Sequence, residues 1–302
     1  MRLDPLAANS ILLLPERRRL GGDPPSDLAR LMARAETFDV RAGEQAQLQR
    51  CFDVSPQGWP VAAVQRQAAA GDAGAFGWMR ADPVHVRAEM TGARLLAWDT
   101  LGLSDEDADA LVASLAETFG EHGIDIGRTS AGHWYLRMPP ECLPAAASVA
   151  PGDALGEDLF GHLPAGESGR TWRRLQSEAQ ILLAQHPVNA ARAARGLPTA
   201  NSVWFWGEGV LPDSVRACFG SAAVATRDPQ LAAFAQAAGR RVLPEDDGAA
   251  AVVDLRAARH WAPVEAALAA RMPAALAPGL VLDFADAPRL RCRAPSWWRR
   301  WA

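Results

Sequence analysis

Between Ser202 and Phe284, short apolar runs alternate with helical patterns. Ser202–Trp206, Ala250–Leu255 and Leu280–Phe284 read as strands, while Leu231–Gly239 and Val264–Met272 carry apolar residues at helical spacing. A strand, a helix and a further strand in succession return to one sheet by a crossover, which makes the strands parallel and lays helices over the faces. The pattern predicts an α/β fold with a largely parallel sheet. The chain opens in keeping with it: a short buried strand at residues 10–15, a loop at Gly21–Pro25, and an amphipathic stretch from Ser26 to Glu36 with Ser26 as N-cap.

Further elements lie between these two regions. Ser104 followed by Glu106 and Asp107 has the acidic first turn of a helix, and Leu111, Leu115 and Phe119 recur at helical spacing before Gly120 and Gly123. His133–Met138 reads as a strand ended by Pro139-Pro140. Thr171–Gln185 reads as a helix with Trp172, Leu175, Ala179, Leu182 and Leu183 on one face, and Pro187 stops it.

Composition narrows the function classes. The 302 residues are 49% hydrophobic and 22% charged, with a net charge of -4, so nucleic-acid binding through a global basic field is not expected. The chain has no Lys, which excludes Schiff-base chemistry and a phosphate-loop lysine. Cys51, Cys142, Cys218 and Cys292 lie far apart and read as reduced thiols. The only early apolar run, Ile11–Leu14, is too short for a signal-peptide core or a membrane span, so a cytoplasmic location without membrane insertion is expected.

Three segments can carry chemistry. In the first, Arg80, Asp82 and His85 fall within six positions. Asp82 and His85 could share a metal or a proton, or the segment could be a loop in which Asp82 pairs with Arg80. In the second, strand alternation puts His133, Tyr135 (the only tyrosine) and Arg137 on one face, lining a pocket or forming the solvent face of an edge strand. The third runs from His186 to Pro212. It gathers Asn189, Arg192, Arg195 and Asn201 beside a strand ending in Gly207-Glu208-Gly209, where arginine forks and backbone amides could hold a phosphorylated or carboxylate small molecule. Alternatively Trp204 and Trp206 pack a sheet face and the glycines make a tight turn.

Other signals fail. Pro212 stands where a dinucleotide fingerprint needs its third glycine, and the six histidines show no paired metal-ligand spacing, so no metal site is expected. Gly166-Glu167-Ser168-Gly169 lacks the second glycine of a hydrolase elbow. No catalytic residue is assigned. The tail Trp297-Trp298-Arg299-Arg300-Trp301 could stack on bases, meet a membrane surface or dock on the protein itself.

In combination, RADPVH, HWYLR, HPVN, GLPTANSVWFWGEG and the terminal WWRRW resemble the RpfE-type regulatory proteins of bacteria, often labelled phosphoglycerate mutase. Through the stretch from His186 to Gly209 the chain is also similar to the archaeal-type cofactor-independent phosphoglycerate mutases of the alkaline phosphatase superfamily. That resemblance implies a three-layer α/β core, placed here at 1–77 and 170–302, with a smaller α/β domain inserted at 78–169. It also implies two metal ions, manganese or magnesium, a Ser or Thr nucleophile, an Asp-Gly after the first strand and late Asp/His ligands. The sequence departs at each point: Leu14-Pro15-Glu16 follows the first strand, Gly43-Glu44-Gln45 offers no hydroxyl, and Asp283 and Asp286 stand without histidine. In-line phosphoryl transfer needs such metals. The expectation is therefore a regulatory or non-catalytic relative, a pseudoenzyme without a bound cofactor, keeping an anion- or protein-binding surface. An active mutase or phosphatase, or an interaction scaffold, are the alternatives.

Overall fold

The computed structural model describes residues 10–90, 92–144, 149–163, 169–220, 222–271, 279–286 and 288–292. The chain forms two units, one running up to Gln57 and resuming at Asp213, the other spanning Gly58–Pro212. In chain order, the first unit opens with β1 (Ser10–Leu14), α1 (Ser26–Ala33), β2 (Glu36–Phe38), α2 (Glu44–Gln49) and β3 (Phe52–Ser55). The second contains α3 (Val61–Ala70), β4 (Gly77–Glu89), β5 (Gly92–Trp98), α4 (Asp105–Gly120), β6 (Asp125–Ser130), β7 (His133–Met138), α5 (Gly169–Gln185), α6 (Pro187–Ala194) and β8 (Ser202–Val210). The first unit then resumes with β9 (Ser214–Ala217), β10 (Val224–Ala225), α7 (Pro229–Ala237), β11 (Val242–Leu243), β12 (Val252–Asp254), α8 (Ala262–Arg271), β13 (Leu280–Phe284) and β14 (Arg289–Cys292).

In the first unit, seven strands follow the order β11-β10-β12-β1-β13-β14-β2. The five from β11 to β13 are parallel, and β14 and β2 add antiparallel pairs. β1 holds the centre because Ile11 to Leu14 is apolar at every position, as a strand covered on both faces requires. Leu12 and Leu14 pack with Leu28 and Leu31 of α1 and Val264 and Leu268 of α8. The expected α/β class with a mostly parallel sheet is what the chain forms. One detail differs: Pro25, extended at φ -51 and ψ 147, is the N-cap residue of α1, and Ser26 is already helical without a side-chain cap.

In the second unit, β5-β4-β7-β6 form an antiparallel sheet to which β8 adds by pairing with β4. One face is apolar. Met79, Ala81, Trp134, Leu136, Val203 and Phe205 meet Leu111, Leu115 and Phe119 of α4 and Trp172, Leu175, Ala179 and Leu183 of α5. Ser104 caps α4 by accepting from the Asp107 amide, as its sequence predicts. Pro187 both follows the end of α5 and opens α6, where a missing N–H costs nothing. The boundaries of this unit, Gly58 and Pro212, are wider than the 78–169 expected. The reason is the pairing of β8 with β4 from Gly77 to Val84, which ties residues 202–210 to the same sheet.

Candidate functional site

The parallel strands of the first unit end along one edge, where open α/β sheets commonly build their sites. Asp254 of β12 and Asp283 of β13 are both in register with Leu13 of β1, so the two carboxylates face the same side with one strand between them. Each is held by arginine. Asp283, fully buried, receives Arg50 Nε and Nη2 at 3.2 and 2.6 Å and has Arg289 Nε at 3.2 Å. Asp254 receives Arg256 Nε and Nη2 at 2.8 and 2.7 Å and the Thr226 hydroxyl at 2.9 Å. Arg256 also lies 3.3 Å from Asp228 and 3.9 Å from Glu44. Burial pushes the Asp254 carboxyl up, but the Arg256 and Thr226 hydrogen bonds outweigh it and hold it below the usual range.

The carbonyls at this edge are sealed too. Gln47 of α2 donates to the Leu14 and Asp283 carbonyls, and the Cys51 thiol donates to the Gln47 carbonyl. Burial pushes that thiol up to about 12, so Cys51 is an inert core group. Among the described residues no three His, Cys, Asp or Glu side chains gather as a cation site. The two metals implied by the family resemblance do not fit here. Guanidinium groups occupy the carboxylates, and Leu14-Pro15-Glu16 stands at the end of β1 where the resemblance implies Asp-Gly.

In the second unit, the segment read as a loop is the middle of the thirteen-residue strand β4. Its buried pair is the reason polar residues sit in a strand. Arg80 donates through Nε and Nη2 to Asp82 Oδ1 at 2.8 and 2.6 Å and through Nη1 to Gln65, and it lies 5.0 Å from the Tyr135 ring and 5.4 Å from the Trp206 ring. Asp82 Oδ2 accepts from the Trp206 and Trp98 indoles at 2.8 and 3.3 Å. His85 does not join Asp82; its Nδ1 is 3.0 Å from the Thr199 carbonyl. Strand β7 lies between β4 and β6 and is not an edge. Tyr135 and Arg137 on it line a cavity of about 170 Å³, and His133 is not in its lining.

The His186–Pro212 segment turns most of its polar groups inward. His186 caps α6, its Nδ1 accepting from the Val188 amide at 3.2 Å. Asn189 donates to the Leu183 and Ala200 carbonyls and accepts from the Ala200 amide. Arg192, 2% exposed, donates to the Pro198, Gly102 and Leu101 carbonyls, which take up the fork expected to meet an anion. Asn201 exchanges two hydrogen bonds with the Val86 backbone, while Arg195 is exposed. Gly207 and Gly209 lie inside β8, not in a turn after it. They have φ of +68° and +151°, and an added Cβ would stand 2.9 Å from Val61 and 2.5 Å from Pro60. Their role is to admit the start of α3 against the sheet. The Trp297–Trp301 tail and Gly166–Ser168 lie outside the described residues.

The residues that sequence reasoning missed are Arg50, Arg256, Arg289 and Gln47; Arg50 and Gln47 reach Asp283 from 233 and 236 positions away, whereas Arg289 and Arg256 meet nearby aspartates. Asp254-Leu255-Arg256 at a strand end carried the one local signal. No helix among the described residues is long and apolar enough to cross a membrane.

No protein-family profile matches the chain. A stretch of 71 residues, 24% of the chain, is 37% identical to the 2,3-bisphosphoglycerate-independent phosphoglycerate mutase of Methanothrix thermoacetophila, and covers 18% of that protein. A stretch of 116 residues, 36% of the chain, is 31% identical to the enzyme of the same name from Methanosarcina barkeri, covering 28% of it. The chain thus matches well under a third of the length of these relatives. Two solved structures align along the chain: a cofactor-independent phosphoglycerate mutase from Thermoplasma acidophilum (14% identity, 95% of this chain, 90% of that one, TM-score 0.41) and a protein from Pyrococcus horikoshii (13%, 96%, 88%, 0.41). At those TM-scores the structural alignments add no weight to the sequence match. The chain is distantly similar, over part of its length, to the cofactor-independent phosphoglycerate mutases.

Proposed function

We propose that the chain is a non-catalytic relative of the cofactor-independent phosphoglycerate mutases, acting by binding, in the manner of the RpfE-type regulatory proteins. One observation carries the reading. The aspartates at the carboxyl edge of the parallel sheet are neutralised by built-in guanidinium groups, Asp283 by Arg50 and Arg289 and Asp254 by Arg256. Phosphoryl transfer needs open carboxylates that bring divalent cations to the attacking and leaving oxygens. An arginine that fills the carboxylate's lone pairs supplies charge balance and rigidity instead. The role left to such a scaffold is recognition of a small carboxylate or phosphorylated molecule, or of a protein partner in the cytoplasm.

The test is conversion of 3-phosphoglycerate to 2-phosphoglycerate by the full chain, in a coupled assay with manganese or magnesium. No turnover above the coupling enzymes alone is expected. Metal-dependent turnover abolished by a chelator overturns the reading and favours the second one, an active mutase, to which the names of the sequence relatives point.

A further inference from the structure

The cavity beside Tyr135 is lined by Arg66, Asp72, Trp78, Asp125, Ile126, Gly127, Tyr135 and Arg137, all within the second unit. Its floor is aromatic and nearly closed: Tyr135 is 2% and Trp78 3% exposed, with ring centroids 6.4 Å apart and edge-on. Gly127 is paired with Tyr135 on the neighbouring strand, and a Cβ there would meet nothing within 4 Å, so the space above the tyrosine is open. The walls are two ion pairs. Arg66 donates to Asp72 at 2.6 and 2.5 Å, and Arg137 donates to Asp125 Oδ2 at 3.0 and 2.6 Å. Arg66 is fixed by the rings, 5.2 Å from Trp78 and 5.9 Å from Tyr135.

These groups keep unused capacity. Among the described residues, Nη1 of Arg66, Nη1 of Arg137 and the Tyr135 hydroxyl have no hydrogen-bond partner, and Asp125 Oδ1 accepts none. The lining therefore offers spare donors and a spare acceptor with no net charge. A simple anion gains from the arginines and loses against the aspartates, whereas a molecule carrying both signs is complementary to both. At about 30 Å³ per water-sized group, the cavity takes roughly six such groups.

We propose that this cavity binds a small zwitterion, the free α-amino acids being the chemical class. The carboxylate meets the spare guanidinium nitrogens and the Tyr135 hydroxyl, the ammonium meets Asp125, and a short apolar side chain lies on Tyr135 and Trp78. This site is independent of the reading of the carboxyl edge, and either can fail alone.

The test is titration of the full chain with L-alanine and L-valine, followed by calorimetry and by the backbone amide resonances of Gly127 and Tyr135. Propionate, propylamine and inorganic phosphate serve as single-sign probes. The amino acids are expected to bind and shift those resonances, and each single-sign probe to bind at least about tenfold more weakly, the scale of losing one charged hydrogen bond. Tyr135→Phe keeps the ring and Arg137→Gln alters a half-exposed wall; both are expected to fold normally by circular dichroism and to weaken amino-acid binding about tenfold. Absence of shifts at Gly127 and Tyr135, unchanged affinity in Arg137→Gln, or propionate or phosphate binding as tightly as alanine overturns the proposal.

Discussion

Replacing Arg80 with methionine removes the guanidinium from the most enclosed ion pair of the second unit while keeping much of the apolar stem. Arg80 is 1% and Asp82 0% exposed, so water cannot replace the lost partner. Asp82 retains only the indole donors of Trp206 and Trp98. Breaking one side of a buried pair costs about 3–5 kcal/mol, which for a unit of this size lowers its melting temperature by about 6–20 °C. The pH dependence adds a sign. Burial keeps the Asp82 carboxyl above the usual carboxylate range, outweighing Arg80 and the two indoles. A carboxyl raised in the folded state gives stability that is present in acid and lost as pH rises through the folded value. Without Arg80 the carboxyl rises further, so the deficit of the variant is smaller at about pH 4 than at about pH 8. Urea unfolding followed by tryptophan fluorescence across that range measures it, and Asp82→Asn in the same chain is expected to restore most of the loss. A deficit under about 1 kcal/mol at neutral pH, or one that grows toward acid, refutes the argument.

Asn189→Ala removes the side-chain partner of the Ala200 carbonyl and amide, at about 1–3 kcal/mol for each group left buried, while the Leu183 carbonyl keeps the His186 amide; denaturant unfolding and faster hydrogen exchange at Ala200 check it. Gly209→Ala places a methyl 2.5 Å from the Pro60 Cβ at a φ of +151°, so a loss of about 2 kcal/mol or more is expected in thermal unfolding. Iodoacetamide near pH 8 is expected to label exposed Cys142 in the native protein and to reach Cys51 and Cys292, both pushed up to about 12 by burial, only on unfolding; peptide mapping reads this out.

The sequence made some elements legible because their causes are local. β1 and β13 each carry an apolar run, Ile11–Leu14 and Leu280–Leu282, and α4 carries its own cap and acidic first turn. β4 was not legible, because Arg80, Asp82, Pro83 and His85 look like loop residues until Gln65, Trp98, Trp206 and Tyr135 arrive from other elements to neutralise and enclose them. Asn189 and Arg192 look like ligand groups in the sequence for a related reason: a donor aimed at a backbone carbonyl and one aimed at an anion have the same composition. Tyr135 and Arg137 share a pocket as the two-residue period suggested, while His133 on the same strand does not reach its lining. The arginine clamp on Asp283 is invisible in the sequence because Arg50 reaches it across 233 positions of chain, and Arg289 faces it only once β13 and β14 pair.

Manganese titration of the full chain by calorimetry tests the central claim most directly, that guanidinium groups have taken the place of cations at the carboxyl edge. No binding tighter than millimolar is expected. Micromolar binding that is lost in Asp254→Asn or Asp283→Asn would contradict it.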